Sequence, residues 1–188
     1  AGTLRVRRQR IARCVRAMAA LAILCAGQFI AVPSHAGELD KAAIQKLYPV
    51  YDVGERDKDL PIWPLFRHAI PASNDLMGYV FESVDVSPIA GYAGVPPNML
   101  VAIGADGVFM SVRVLSHKEP IFQHGVDDEA LKHYAGQYAG RSIKQSIKIA
   151  PVNTAPPASS SGVVYLDGIA RATVSVRIMN ESVLSAAL

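Results

Sequence analysis

Cysteine is almost missing from this chain. Only Cys14 and Cys25 are present among 188 residues, and both fall within the first 36 positions. Residues 37–188 hold none, which excludes disulfides, thiolate metal sites and cysteine-bound iron–sulfur clusters from that stretch. Charge is also sparse, at 19% of residues against 51% hydrophobic, so a wholly disordered chain is excluded. There is no collagen period and no sustained heptad. There is also no Ser–His–Asp signature, phosphate-binding P-loop, zinc-ligand spacing or GxGxxG dinucleotide fingerprint. The formal net charge of +3 is unevenly placed. Residues 1–36 carry six arginines and no acid, so 13 of the 19 basic and all 16 acidic side chains lie beyond them, a net of −3. A basic nucleic-acid-reading face is therefore not expected from residues 37–188, and direct nucleic-acid binding by this segment is set aside.

What is present begins with an address. Arg5, Arg7, Arg8, Arg10, Arg13 and Arg16 precede the apolar run Ala17–Ala26, which Gly27-Gln28 interrupt before Phe29–Val32. Pro33 and Ser34-His35-Ala36 follow, with small residues at the two positions a signal peptidase reads. This pattern predicts a secretory signal over 1–36, cleaved after Ala36, and a periplasmic location for the rest. The apolar run is interrupted and falls short of the ~20 residues a spanning helix needs. The chain opens on alanine and ends at Leu188 inside an apolar periodic stretch. It reads as a piece of a longer protein, holding about one domain.

The pattern beyond residue 36 mixes helix and strand without a regular βαβ alternation, which predicts an α+β class. Glu38–Leu47 reads as a helix closed by Pro49, and 49–75 as irregular. Strands are predicted over Gly78–Val86, Asn98–Ile103 and Val108–Leu115, with Ala105-Asp106-Gly107 as a hairpin turn. These three form the expected twisted antiparallel sheet. Asp127–Tyr138 reads as a helix whose acids Asp127, Asp128 and Glu129 suit its positive N-terminal end. Further strands are predicted over Ser142–Ile149 and Gly162–Leu166, joined by a surface loop over Pro151–Gly162. Residues 173–184 fit either element: Val174, Val176 and Ile178 alternate as in a strand, whereas Val176, Met179, Val183 and Leu184 suit a helical face.

Candidate chemistry is thin. His68, His117, His124 and His133 are scattered, and Pro120 prevents His117 and His124 from sharing one helical face, so no metal site is assigned. Gly91-Tyr92-Ala93-Gly94 precedes a strand. It reads as an ordinary turn or as a place where backbone N–H groups approach a ligand closely. Asp167-Gly168-Ile169-Ala170-Arg171-Ala172-Thr173 leaves a threonine hydroxyl among small residues. No base stands beside that threonine, so it suits a modification acceptor better than a nucleophile.

This last stretch resembles the flavinylation motif Asp-Gly-x-Ser/Thr-Gly-Ala-Thr of FMN-binding domains. Such domains occur in the C subunit of the sodium-pumping quinone reductase, the G subunit of the Rnf complex and the NosR/NirI family. The chain departs from the motif at Ala170 and Arg171, where Ser/Thr and Gly are usual. Gly78–Ser83, Gly91–Gly94 and Ser116-His117-Lys118-Glu119-Pro120-Ile121-Phe122 resemble further family segments in the right order. The leader and the Glu-Pro-Ile-Phe wording point to NosR/NirI.

The resemblance implies residues 37–75 as a lead-in and 76–188 as an FMN-binding domain with a helix over 174–187. It implies FMN esterified through its phosphate to Thr173 by a flavin transferase. It further implies Asp167, Gly168 and Ala172 in the motif, the flavin ring over Gly91, Tyr92 and Gly94, Glu119 near the ring or ribityl chain, and Arg171 facing the phosphodiester. The taking up of one or two electrons by FMN suits a redox carrier more than a turnover enzyme.

The expected partners are the flavin transferase, nitrous oxide reductase or its maturation system, and the remaining membrane part of the same protein. That whole protein is expected to cross the inner membrane several times. A regulatory module controlling reductase expression, and an interaction module without cofactor, are the alternatives.

Overall fold

A computed structural model describes residues 37–69, 74–123, 128–150 and 162–188. The expected leader over 1–36, with both cysteines, lies outside the described residues. So do His124, Asp127 and all of the expected loop before Gly162.

Five strands form one antiparallel meander in the order β1 (Tyr51–Val53), β2 (Ile62–Arg67), β3 (Leu76–Glu82), β4 (Asn98–Gly104) and β5 (Phe109–Ser116). The architecture is α+β, as the sequence predicts. In β4 the side chains alternate between two separate cores. Met99, Val101 and Ile103 enter one, and Leu100 and Ala102 the other. A strand covered on both faces needs apolar residues at every position, which is why Met99–Ile103 reads as one continuous apolar run. The hairpin to β5 turns at Gly107, whose φ is +78°, with its N–H on Gly104 O at 2.9 Å. Asp106 Oδ1 accepts the Val108 N–H at 3.0 Å, an Asx-type closure that explains the Asp-Gly signal.

Two expectations need correction. Residues 49–75 are not irregular, because β1 and β2 lie within them and complete the sheet. Pro64 obscured β2. Its carbonyl faces Gly54 N at 2.8 Å, just past the end of β1, so its missing N–H falls where no strand continues. The second correction concerns β3, which ends at Glu82 rather than Val86, followed by one helical turn, α2 (Ser83–Val86). Ser83 Oγ accepts the Met99 N–H at 3.0 Å and donates to Pro97 O at 3.3 Å. A side chain thus takes over pairing to β4, and the backbone is free to turn.

Helices cover the two faces. On one, α1 (Lys41–Leu47) is N-capped by Asp40, which accepts the Ala43 N–H at 2.8 Å, a contact worth about 1 kcal/mol. It buries Ile44 with Tyr48, Leu65 and Val80. On the other face lie α4 (Asp128–Gly136) and α5 (Thr173–Ala187). The short α3 (Pro120–Gln123) follows β5. β6 (Ser146–Ile149) and β7 (Val163–Leu166) form a separate parallel pair. β6 is shorter than the predicted Ser142–Ile149, and Ser142 instead bridges to Val108.

The ambiguity over 173–184 resolves as helix. Val176, Met179, Val183 and Ala186 join Phe109, Leu131 and Tyr134 in one core. Tyr138 O–H donates to Asn180 Oδ1 at 2.7 Å, so the proton between the two phenols, 2.9 Å apart, is that of Tyr134. Tyr134 has one proton, so it is shared between Tyr138 Oη and Val176 O, the latter 3.1 Å away. This buried chain ties the end of α4 to α5. Burial raises the pKa of both phenols well above the usual value, so both stay neutral donors.

Candidate functional site

Thr173 is the first residue of α5, and the first bond inside that helix runs from Val176 N to Ala172 O at 2.9 Å. The N–H groups of Thr173, Val174 and Ser175 therefore have no intrahelical acceptor, and the helix dipole places partial positive charge beside the Thr173 hydroxyl. A cleft of about 500 Å³ opens there, lined by Tyr92, Pro120, Ile121 and residues 171–175. Three separated segments thus meet: the glycine loop, the start of α3 and the start of α5. Tyr92 is 72% exposed and Val174 57%, so two large apolar side chains stand open at its wall.

Glu119 ties these segments together. It is fully buried. Its Oε1 accepts the Tyr92 N–H at 2.7 Å, and its Oε2 accepts the Ser175 hydroxyl at 2.5 Å. This burial excludes a surface ion pair as the role of Glu119. Gly91 is required by the same contact, because a Cβ there would lie 2.2 Å from Glu119 Oε1. The loop closes on itself through Gly94 N to Gly91 O at 2.9 Å and Gly91 N to Val95 O at 3.1 Å, with Gly94 at φ +78°.

Arg171 lines the cleft and has φ +70°, alone among the described non-glycine residues in that region. This is the motif position where glycine is usual. The left-handed backbone explains that preference, since a side chain there costs about 1–2 kcal/mol.

Of the residues singled out from sequence, Thr173, Arg171, Ala172 and Tyr92 line the cleft, and Glu119 and Gly91 support it. Gly94 shapes the loop. Asp167 and Gly168 do not line it. Asp167 instead exchanges backbone bonds with the Gln137 side chain, accepting at 3.1 Å and donating at 2.7 Å, which anchors the loop before α5 to the end of α4. Sequence reasoning assigned no site role to Pro120, Ile121, Val174 or Ser175. Ser175 carried no signal, being one of several small polar residues in an undecided segment.

A second cleft of about 560 Å³ lies between β5 and α4, with Arg113, His117, Asp128 and Lys132 in its lining. Of the family-like segments it contains only His117, and none of the candidate site residues lines it. Among the described residues no cluster of His, Asp and Glu is placed to hold a metal ion, and no helix is long and apolar enough to cross a membrane.

The chain is 28% identical over 176 residues, 93% of its length, to the regulatory protein NosR of Pseudomonas aeruginosa, of which it covers 22%. It is 25% identical over 148 residues to the regulatory protein NosR of Stutzerimonas stutzeri, matching 79% of this chain and 19% of that one. It is 24% identical over 152 residues to the protein NirI of Paracoccus denitrificans, with 79% and 20% covered. No family model matches. The chain spans about a fifth of the length of the curated relatives it matches.

Proposed function

We propose that this NosR/NirI-type chain is a periplasmic flavin domain, carrying FMN in a phosphodiester to Thr173 and passing electrons on behalf of a nitrous oxide reductase system. The observation that carries this reading is the meeting of Thr173, Arg171 and Tyr92 in one cleft of about 500 Å³. That volume falls within the roughly 300–1,000 Å³ of small-molecule sites. The residues suit the group. The exposed Tyr92 and Val174, with Ile121, offer apolar surface to a flat ring. The free N–H groups at the start of α5 and the Arg171 guanidinium favour a phosphodiester anion. Glu119 holds the two walls together through Tyr92 and Ser175.

Bound FMN would supply transfer of one electron or two. Esterification forms a bond from Thr173 Oγ1 to phosphorus. Water is a poor leaving group, so the donor of the transferase is a flavin dinucleotide: its pyrophosphate bond breaks, and the nucleotide leaves with the hydroxyl proton. A covalent link prevents loss of the cofactor by dilution outside the cytoplasm.

The test is co-expression with a flavin transferase, followed by in-gel flavin fluorescence under denaturing conditions and peptide mass across residues 163–177. The unmodified chain is expected to fluoresce and Thr173→Ala to be dark. Fluorescence persisting in Thr173→Ala would overturn the assignment. A regulatory role is the second reading, favoured by the names of the two NosR relatives. Flavin reduction that is not followed by electron delivery to the reductase would select it.

A further inference from the structure

The amino end of the described chain is held by acceptors that the flavin site does not use. Gly37 N donates to Asp85 Oδ2 at 3.0 Å. Glu38 N and Leu39 N donate to Glu82 Oε2 and Oε1, each at 2.8 Å. Three consecutive backbone nitrogens thus fall on two carboxylates from the β3–α2 junction. Both are buried: Glu82 is 4% exposed and the Asp85 side chain 7%. Glu82 has one further described donor, Asn98 Nδ2 at 2.6 Å, so all its described donors are neutral. Asp85 also takes the Arg56 guanidinium at 2.8 Å. A side chain at position 37 would push these carboxylates aside, because a Cβ there would lie 2.4 Å from Glu82 Oε1 and 2.6 Å from Asp85 Oδ2.

We infer that Glu82 and Asp85 form a receptor for an α-amino group, and that this group is the one released at Gly37 when the Ala36–Gly37 bond is hydrolysed. The inference goes beyond the flavin reading and does not depend on it. In the uncut chain Gly37 offers one neutral N–H. Hydrolysis adds water across the bond, so Ala36 leaves with a carboxylate and Gly37 keeps an amine that takes up a proton. The ammonium has three N–H donors and a full charge, and charge-assisted bonds are roughly twice as strong as neutral ones. Capture of a chain-terminal amine by a fixed cluster of acceptors is an established recognition mode.

The charged groups around the amine are Glu82, Asp85, Arg56 and Glu38, whose carboxylate accepts a bond from Ser116 Oγ. The Asp85 carboxylate on that nitrogen, with Glu82 on the next two, outweighs one partly exposed guanidinium, so the pKa of the amine rises above the ordinary ~8. A raised pKa places the stabilisation below that ordinary value, and it is lost as pH rises through the folded value.

The test uses the full chain, exported with its own leader and purified from the periplasm. Its N-terminal sequence is read, and the rate of α-amine acylation by a mild reagent at pH 7.5 is followed by mass spectrometry of the N-terminal peptide. The expected sequence begins at Gly37. The expected acylation rate in the folded protein is at least about tenfold below that of the free peptide, the ratio that one pKa unit gives. Asp85→Asn should restore the peptide rate. So should a chain whose cleavage site is moved to leave Ala36 in place, which keeps both carboxylates and displaces only the amine. A mature protein beginning elsewhere would overturn the processing assignment. One beginning at Gly37 but acylated at the peptide rate would overturn the receptor.

Discussion

Replacing Glu119 with glutamine tests whether the cleft is built on one buried carboxylate. Glu119 has no exposed surface and receives two donors, the Tyr92 N–H at 2.7 Å and the Ser175 O–H at 2.5 Å. Glutamine keeps the shape but has one acceptor oxygen. The Tyr92 N–H is fixed by the backbone, whereas the Ser175 hydroxyl can rotate and accept. The amide oxygen therefore goes to Tyr92 and the amide nitrogen donates to Ser175, which leaves the serine proton without its carboxylate. What is lost is the charge assistance of two buried bonds, each worth about 1.5–3 kcal/mol, while neutral bonds worth about 1 kcal/mol each remain. The net cost is about 2 kcal/mol.

Glu119→Ala removes both bonds and opens a hole, at a cost of about 4 kcal/mol. Urea unfolding measures this. With a slope of about 2 kcal/mol/M, Glu119→Gln lowers the midpoint by about 1 M. Because the two residues share a bond, Glu119→Gln combined with Ser175→Ala should cost less than the sum of the single changes. Amide exchange at Tyr92 is the local readout and should speed in every Glu119 variant. A Glu119→Gln protein within about 0.5 kcal/mol of the parent, with Tyr92 exchange unchanged, would refute the reasoning.

Three other outcomes are expected. Arg171→Gly relieves the left-handed backbone at φ +70° and should stabilise the domain by about 1 kcal/mol, read as a rise of about 2–4 °C in thermal midpoint; no rise would remove the strain argument. Gly78→Ala places a Cβ 2.1 Å from Ile103 O and 2.9 Å from Gly104 Cα. Both are backbone atoms of β4 that have nowhere to move, so a loss of about 3 kcal/mol is expected by urea unfolding. Of the seven tyrosines, Tyr48, Tyr134 and Tyr138 have pKa values raised chiefly by burial. A raised folded pKa contributes stability that is complete below the unfolded value near ~10 and declines above it. Phenolate absorbance should therefore show three groups that ionise only as the fold is lost at high pH; smooth titration of all seven before unfolding would contradict their burial.

Much of this protein follows from rules that act over a few residues. The Asp106-Gly107 turn and the apolar run of β4 were legible because turn chemistry and alternation are local properties, and so was the first helix, although it was expected from Glu38 and begins at Lys41, after the Asp40 cap. The motif ending at Thr173 was legible in the same way, as a string of adjacent residues. The strand β2 was not, because Pro64 is tolerated only through the place where β1 ends, a fact about another segment. The end of β3 at Glu82 was hidden too, since Ser83 turns the chain by bonding Met99 and Pro97, 14 or more residues away. Residues 173–184 admitted two periodicities, and packing against Tyr134 and Tyr138 chose the helix. In the cleft, Thr173 and Arg171 came from the sequence, but the partnership of Glu119 with Ser175 joins positions 56 apart. No local pattern encodes such a pair. It exists because the fold brings the two side chains into one buried space, where the Ser175 hydroxyl meets the oxygen of Glu119 that Tyr92 leaves open.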